Sequence, residues 1–172
     1  MQINYANNRD QKKVIIYPPN VNDYINDYIE KYFPNYPGNN KPEKPEEDKL
    51  KVKIKSVVED EFVVVGEDEY LYATGKKSNE NGIFKLVMKN ENEVKLRLVG
   101  GDFVRVDNKD FLIADTDKKG ATKFKLYKVD NKSYALKASN GYYVRVREKD
   151  KKLVAKAENA GNRTVFKFKI VE

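Results

Sequence analysis

Two neighbouring stretches of related sequence decide the fold of this chain: residues 94–126, VKLRLVGGDFVRVDNKDFLIADTDKKGATKFKL, and residues 134–168, YALKASNGYYVRVREKDKKLVAKAENAGNRTVFKF. In both, apolar residues alternate with Lys and Arg, as at Val104 and Val106. An alternation of period two is typical of strands that bury one face and expose the other. Gly-Gly and Asn-Gly turn signals interrupt it, so the sequence predicts short strands with basic outer faces.

These strands recur with a period of about 41 residues. Two sets of residues mark the period, namely Ala73, Ala114 and Ala155, 41 residues apart, and Phe84, Phe124 and Phe166, 40 and 42 residues apart. Upstream of them, Ile54, Leu96 and Leu136 are followed after seven or eight residues by Phe62, Phe103 and Tyr143. The three repeats span about 50–90, 92–130 and 132–172, each with room for four short strands. A propeller needs at least four blades, so three repeats predict an all-β β-trefoil instead.

Repeats two and three resemble the fascin-like branch of the β-trefoils, whose pattern is Leu-x-x-x-Gly-x-Tyr-Val, then Leu-x-Ala, then Gly-x-x-x-Phe-x-Leu. The matching residues of repeat three are Leu136, Gly141, Tyr143, Val144, Leu153, Ala155, Gly161 and Phe166. Those of repeat two, with small shifts in spacing, are Leu96, Gly101, Phe103, Val104, Leu112, Ala114, Gly120 and Phe124. Repeat one matches loosely, with Glu61-Phe62 where Gly-x-Tyr would stand. The ricin-type lectin branch is disfavoured, because its Gln-x-Trp motif cannot occur in a chain without Trp.

The resemblance implies a β-trefoil domain over residues 49–172. It also implies actin-filament binding as one activity of the family. The matched positions are core and turn residues, so no binding residue is carried over from the family to this chain.

Residues 1–48 form a second, different segment, which we call the arm. It holds all six Pro residues, and its six basic and eight acidic residues give a net charge of −2. The spacing predicts a helix over about 21–33, followed by a linker over 34–48. Its apolar stripe consists of Val21, Tyr24, Ile25, Tyr28, Ile29, Tyr32 and Phe33, after a β-prone run that contains Val14, Ile15 and Ile16.

An isolated helix of about 13 residues is marginal in water, so the stripe of the arm must dock on another surface. Three surfaces remain open from the sequence: the barrel of the same chain, a neighbouring subunit, and a membrane or partner. Attraction between the acidic arm and a basic barrel favours the first two.

The composition restricts the chemistry that this chain can perform. It contains no Cys and no His, which removes thiolate nucleophiles, disulfides and the side chain best suited to proton transfer at neutral pH. No spacing of carboxylates singles out a catalytic pair. The run from Asp115 to Gly120 begins like a calcium loop, but Leu126 stands where the bidentate Glu should be, so a turn is predicted. We therefore predict no enzyme, no cofactor and no metal.

Residues 49–172 carry 28 basic and 19 acidic residues, a net charge of +9. The basic residues are mostly Lys and are spread over many strands, and the aromatic residues follow the periodicity of a core. These features disfavour a nucleic-acid partner, and a glycan or a protein surface is the predicted partner class. The candidate ligand-binding residues are Tyr72, Tyr127, Tyr142, Arg145 and Arg147.

These observations predict a non-catalytic binding module that recognises a glycan or protein surface through trefoil loops, with the arm docked on the barrel or on a neighbouring subunit. One alternative is a structural subunit of a fibre, coat or particle that self-associates by arm exchange. Another is a basic binder of anionic polymers or actin-like filaments. No apolar run is long enough for a transmembrane segment, and no cleavable signal is recognisable. We therefore expect a cytoplasmic protein, or one released without a cleaved signal peptide.

Overall fold

The computed structural model describes residues 50–76, 80–90, 93–130 and 133–171, which contain twelve strands. The first four strands are β1 (Lys51–Ser56), β2 (Glu61–Val65), β3 (Leu71–Gly75) and β4 (Ile83–Asn90). The next four are β5 (Glu93–Leu98), β6 (Phe103–Val106), β7 (Leu112–Thr116) and β8 (Phe124–Asp130). The last four are β9 (Ser133–Lys137), β10 (Tyr143–Val146), β11 (Leu153–Ala157) and β12 (Phe166–Ile170). Short 3₁₀ turns lie at Glu80–Gly82 and Asn162–Thr164. The predicted arm, with its strand, helix and linker, lies outside the described residues.

Six of the strands close into a barrel. β1 pairs with β4, β4 with β5, β5 with β8, β8 with β9, β9 with β12, and β12 returns to β1, every pair antiparallel. The other six strands form the hairpins β2–β3, β6–β7 and β10–β11. The all-β class and the barrel that the sequence predicts are therefore confirmed. Within the described residues, no helix is long and apolar enough to cross a membrane.

The residues that mark the 41-residue period occupy matching places. In each hairpin, the amide of the period-marking Ala donates a hydrogen bond to a carbonyl of another hairpin. These bonds are Ala73 N–H to Lys151 C=O, Ala114 N–H to Glu69 C=O, and Ala155 N–H to Asp110 C=O, at 2.8, 2.9 and 2.7 Å. All three acceptors have a positive φ, of 64°, 72° and 73° respectively. The three hairpins therefore form one layer with approximate threefold symmetry, which we call the hairpin layer.

The core fills the space between the barrel wall and the hairpin layer. Phe84, Phe124 and Phe166 are completely buried, and each lies opposite a core residue of a neighbouring strand. Along β1 the burial alternates, with Val52 and Ile54 inside and lysines outside. Burying a large apolar side chain stabilises the folded state by about 1.5–3 kcal/mol, so this repeated alternation is what holds the barrel closed.

A partly buried ion-pair network joins the first repeat to the last. The Glu59 carboxylate, in the turn after β1, contacts Lys151 Nζ and Arg163 Nη2, each at 2.5 Å. Arg163 also donates from Nε to the carbonyl of Val146 at 2.7 Å. The side chains of Glu59 and Arg163 are only 12% and 14% exposed. The hydrogen bonds from Lys151 and Arg163 lower the pKa of Glu59, against the opposing effect of its burial.

Candidate binding site on the hairpin layer

The outer side of the hairpin layer is built from residues that alternate with the core. Leu71, Leu112 and Leu153 point into the barrel and are at most 2% exposed. Their chain neighbours therefore point outwards, since successive side chains of a strand face opposite sides. Three bridges between hairpins bring these outward residues together, namely Tyr70 with Ile113, Phe111 with Val154, and Tyr72 with Lys152. We call the outer side of the hairpin layer at these six residues the hairpin face, in which Ile113 and Val154 are themselves buried.

A lysine surrounded by aromatic rings marks the centre of the hairpin face. Lys152 Nζ lies 3.8 Å from the ring centroid of Tyr70, 4.5 Å from that of Phe111 and 5.8 Å from that of Tyr72. The rings of Tyr70 and Phe111 meet edge to face at 6.2 Å. An ammonium group is attracted to the negative face of each ring, so these contacts hold the three rings in a fixed arrangement.

Carboxylates bind the two tyrosine hydroxyl groups of this face. Tyr72 donates to Asp68 Oδ2 at 2.6 Å, and Tyr70 donates to Asp107 Oδ2 at 2.8 Å. The bond to Asp68 raises the pKa of Tyr72 to about 12, and the bond to Asp107 raises that of Tyr70. Desolvation raises the pKa of both carboxyl groups, but the hydrogen bonds that they accept more than offset it, so both pKa values lie below the usual range.

An arginine–aspartate pair borders the same face. The guanidinium of Arg147 lies 4.8 Å from the ring centroid of Phe111 and makes a bidentate pair with Asp150, with N–O distances of 3.0 and 2.5 Å. The hydrogen bonds from Arg147 lower the pKa of Asp150 to about 2. Asp150 also accepts a hydrogen bond from the backbone amide of Lys152 at 3.1 Å, so the pair fixes the chain that carries the central lysine.

The shifted pKa values indicate what this face can do chemically. The carboxyl groups of Asp68, Asp107 and Asp150 move down, and the hydroxyl groups of Tyr70 and Tyr72 move up, so all five move away from neutrality. A general acid or base works best with a pKa near the working pH. These groups are therefore suited to hydrogen bonding and ring contacts, and poorly suited to proton transfer. Among the described residues, no cluster of three acidic side chains could hold a metal ion.

The structure brings three of the five candidate ligand-binding residues to one side of the hairpin layer. Tyr72 and Arg147 belong to the contacts just described, and Arg145 shares their side because it lies opposite Val154 in the β10–β11 register. Tyr127 lies elsewhere, on β8, half-buried with its ring 5.7 Å from that of Tyr143. Tyr142 is 41% exposed in the turn between β9 and β10.

Sequence reasoning did not single out Tyr70, Phe111 or Lys152. A usable signal was present, because these three residues are themselves 41 residues apart and each precedes the Leu-x-Ala of its repeat. The 41-residue period is recognised most easily at the apolar core positions, where the residue type repeats. The residues that immediately precede them are a tyrosine, a phenylalanine and a lysine, so the residue type does not repeat there. Their shared position near the pseudo-threefold axis follows from the period.

The fold is shared with solved structures of low sequence identity. A designed threefold-symmetric protein, ThreeFoil, superposes with a TM-score of 0.61 at 15% identity, covering 69% of this chain and 96% of that chain. The Rhizoctonia solani agglutinin gives 0.58 at 17% identity, covering 72% and 96%. The Macrolepiota procera ricin B-like lectin, solved in complex with lactose, gives 0.60 at 10% identity, covering 70% and 94%. These likenesses show the β-trefoil fold alone.

Sequence comparison gives the family. No curated protein sequence matches the chain. The Fascin domain profile matches residues 59–168, which is more than half of the chain and includes most of the barrel. The resemblance noted in repeats two and three is thereby confirmed, and the chain belongs to the fascin family.

Proposed function

We propose that this chain is a non-catalytic, carbohydrate-binding module that holds a neutral glycan on the hairpin face. The observation that carries the proposal is the convergence there of three aromatic rings with ionised carboxylates. A sugar offers hydroxyl donors and apolar C–H faces on the same ring, so it needs acceptors and aromatic surface side by side. Asp68 and Asp107 supply acceptors, and Tyr70, Tyr72 and Phe111 supply the rings.

The rigidity of the face supports this function. Both tyrosine hydroxyl groups are held by carboxylates, and the Lys152 ammonium fixes the rings from one side. Side chains that are fixed before binding lose little entropy when a ligand arrives. Lys152 also balances part of the negative charge of the carboxylates, which favours an uncharged ligand.

The comparisons support the ligand class at the level of the fold. Two of the similar structures are an agglutinin and a lectin, and the lectin was solved with lactose. Since their identities to this chain are 17% and 10%, the residues of the site come from this structure and not from theirs.

The experiment is a glycan array probed with the full-length chain, followed by calorimetric titration of any hit. We expect saturable binding that changes little between low and physiological salt, because a neutral sugar releases no counterions. Removing the ring in Tyr72→Ala should weaken binding about threefold to tenfold, the range expected for one well-placed aromatic contact. Tyr142→Ala is the matched control, since Tyr142 is an exposed tyrosine in the turn between β9 and β10.

Two results would contradict the proposal. The first is that no glycan on the array shows saturable binding. The second is an equal loss of affinity in Tyr72→Ala and Tyr142→Ala, which would show that the effect is not specific to the hairpin face.

The role of the arm is part of the proposal. We infer that the predicted helix over 21–33 docks on the barrel of its own chain, supported by a net charge of −2 on residues 1–48 and +9 on residues 49–172. Light scattering of the full chain over a range of concentrations tests this, and we expect a monomer throughout. Growth in mass with concentration that Ile25→Asp abolishes would instead favour docking on a neighbouring subunit and the self-assembling alternative.

A further inference from the structure

A second surface of the barrel carries lysines where neighbouring strands face each other. In the β1–β12 register, Lys53 lies opposite Lys169, and Lys55 lies opposite Lys167. In the β1–β4 register, Lys51 lies opposite Lys85. We call the surface made by these residues on β12, β1 and β4 the basic wall. It consists of Lys51, Lys53, Lys55, Lys85, Lys167 and Lys169.

Lysines in this arrangement oppose folding. Like charges directly opposite each other in an antiparallel pair are destabilising. In the part of the chain that the structure describes, Lys55 forms an ion pair with Asp60 at 3.0 Å. Because Asp60 is 86% exposed, water screens this pair and it offsets little of the charge of Lys55. No carboxylate among the described residues forms an ion pair with Lys53, Lys167 or Lys169. Lys53, Lys167 and Lys169 therefore present positive charge that no carboxylate of the described residues neutralises.

The spacing of these charges is regular. Alternate residues of a strand are about 6.8 Å apart and neighbouring strands about 4.8 Å apart. Lys51, Lys53 and Lys55 thus form a row about 14 Å long, with Lys167 and Lys169 beside it in the register given above. Two adjacent rows of cations match an extended chain that carries anionic groups at short, repeated intervals.

We propose that the basic wall binds a linear anionic polysaccharide that carries sulfate or carboxylate groups. Lysine is a compact point charge on a flexible stem, suited to separate anionic groups more than to planar, bidentate recognition. The site is distinct from the hairpin face, and the proposal stands independently of the one made for that face. It requires that the arm docks on the barrel away from the basic wall.

Two features of the wall favour a polysaccharide over other polyanions. The aromatic ring beside the wall is that of Phe62, which has Lys55 Nζ at 5.3 Å and Lys169 Nζ at 5.6 Å from its centroid. A single ring does not make the series of stacking platforms on which successive bases of a single-stranded nucleic acid lie.

The other feature concerns protein partners. Interfaces between proteins are depleted in Lys and depend on buried apolar anchors. Among the described residues, the exposed large hydrophobic side chains are Val57, Val58 and Tyr142, and all three lie in turns rather than on the three strands of the wall.

The test uses the full-length chain and three probes: dextran sulfate, neutral dextran, and a DNA duplex of matched total charge. Affinities are measured by calorimetry between 50 and about 200 mM salt, the range over which such contacts weaken steeply. We expect binding of dextran sulfate with a steep salt dependence, weaker binding of the duplex, and no binding of neutral dextran. The double variant Lys53→Gln/Lys169→Gln should bind dextran sulfate about tenfold to thirtyfold more weakly.

The matched control is Lys123→Gln/Lys156→Gln, which removes two exposed lysines away from the wall. It should change the affinity less than threefold, and it should leave the salt dependence steeper than that of the wall variant. Thermal unfolding gives a second readout. Removing the opposed pair of lysines should raise the unfolding midpoint of the wall variant while its affinity falls, so a loss of binding cannot be attributed to misfolding.

Three outcomes would overturn the proposal. Equal loss of affinity in the wall and control variants would show attraction to net charge without a site. Binding of the duplex at least as tightly as dextran sulfate would assign the wall to nucleic acid. An unchanged affinity in the wall variant would show that dextran sulfate binds somewhere else.

Discussion

The ion-pair network around Glu59 offers a direct test of how the barrel is held closed. Glu59→Gln removes the negative charge that holds both Lys151 and Arg163, and it keeps the size of the side chain. Glu59 and Arg163 are 104 residues apart in sequence, so the network ties the first repeat to the last. We expect the variant to fold and to be clearly less stable.

The magnitude follows from how deeply each partner is buried. Arg163 is 14% exposed, and removing one partner of a buried pair typically costs about 3–5 kcal/mol. It keeps its hydrogen bond to the Val146 carbonyl, which reduces the cost. Lys151 is 40% exposed, so water solvates its ammonium group and compensates for most of the lost ion pair with Glu59. We expect a decrease of about 2–4 kcal/mol in the free energy of unfolding, or a midpoint lower by about 10 °C for a domain of this size.

Urea unfolding at neutral pH measures the effect. The matched control is Asp60→Asn, which removes the neighbouring carboxylate from a pair with Lys55 in which Asp60 is 86% exposed, and which should cost less than about 0.5 kcal/mol. The reasoning would be refuted if both variants lost the same stability.

The pH dependence of the same variant has a definite sign. The pKa of Glu59 lies below its ordinary value of 4.5, so its contribution is complete above that pH and disappears as the pH falls through the lowered value. The difference in stability between the wild-type chain and Glu59→Gln should therefore narrow in acid. A constant difference down to the acid-unfolding limit would contradict this.

Three further predictions follow from the hairpin layer. Glu69 has a φ of 72°, so Glu69→Gly should be more stable than Glu69→Ala by about 1 kcal/mol in chemical unfolding, because only glycine adopts that φ freely. The Tyr72 hydroxyl should titrate near pH 12 by NMR, and Asp68→Asn should bring it back towards 10; an unchanged value would show that Asp68 is not the cause. The Asp150 carboxyl should titrate near pH 2, and its stabilising effect should be complete above its ordinary pKa of 3.8 and be lost as the pH falls through 2, so the unfolding midpoints of Asp150→Asn and the wild-type chain should converge below that pH.

Part of the candidate site could be predicted from the sequence. Tyr72 and Arg147 are among the five candidate ligand-binding residues of the sequence analysis, and the structure places both at the hairpin face. Tyr127 is another of the five candidates, yet it packs against Tyr143, because a side chain on the outside of a strand is covered wherever another strand crosses nearby. Residue type alone does not distinguish these two situations.

The sequence by itself determined the all-β class, the three repeats and the family. Every strand must bury one face, so its apolar residues recur with period two. Repeats that share a core must place similar residues at the same position, so the sequence also shows a period of 41 residues. Only the tertiary structure decided which outward residues meet. Tyr70, Phe111 and Lys152 are 41 residues apart, and they come within a few ångströms because the barrel closes and brings the three hairpins together around one axis. The core enforces the residue type at each buried position, so the period is plain there. The outward residues at matching positions differ in type, and the closed barrel decides which of them come into contact.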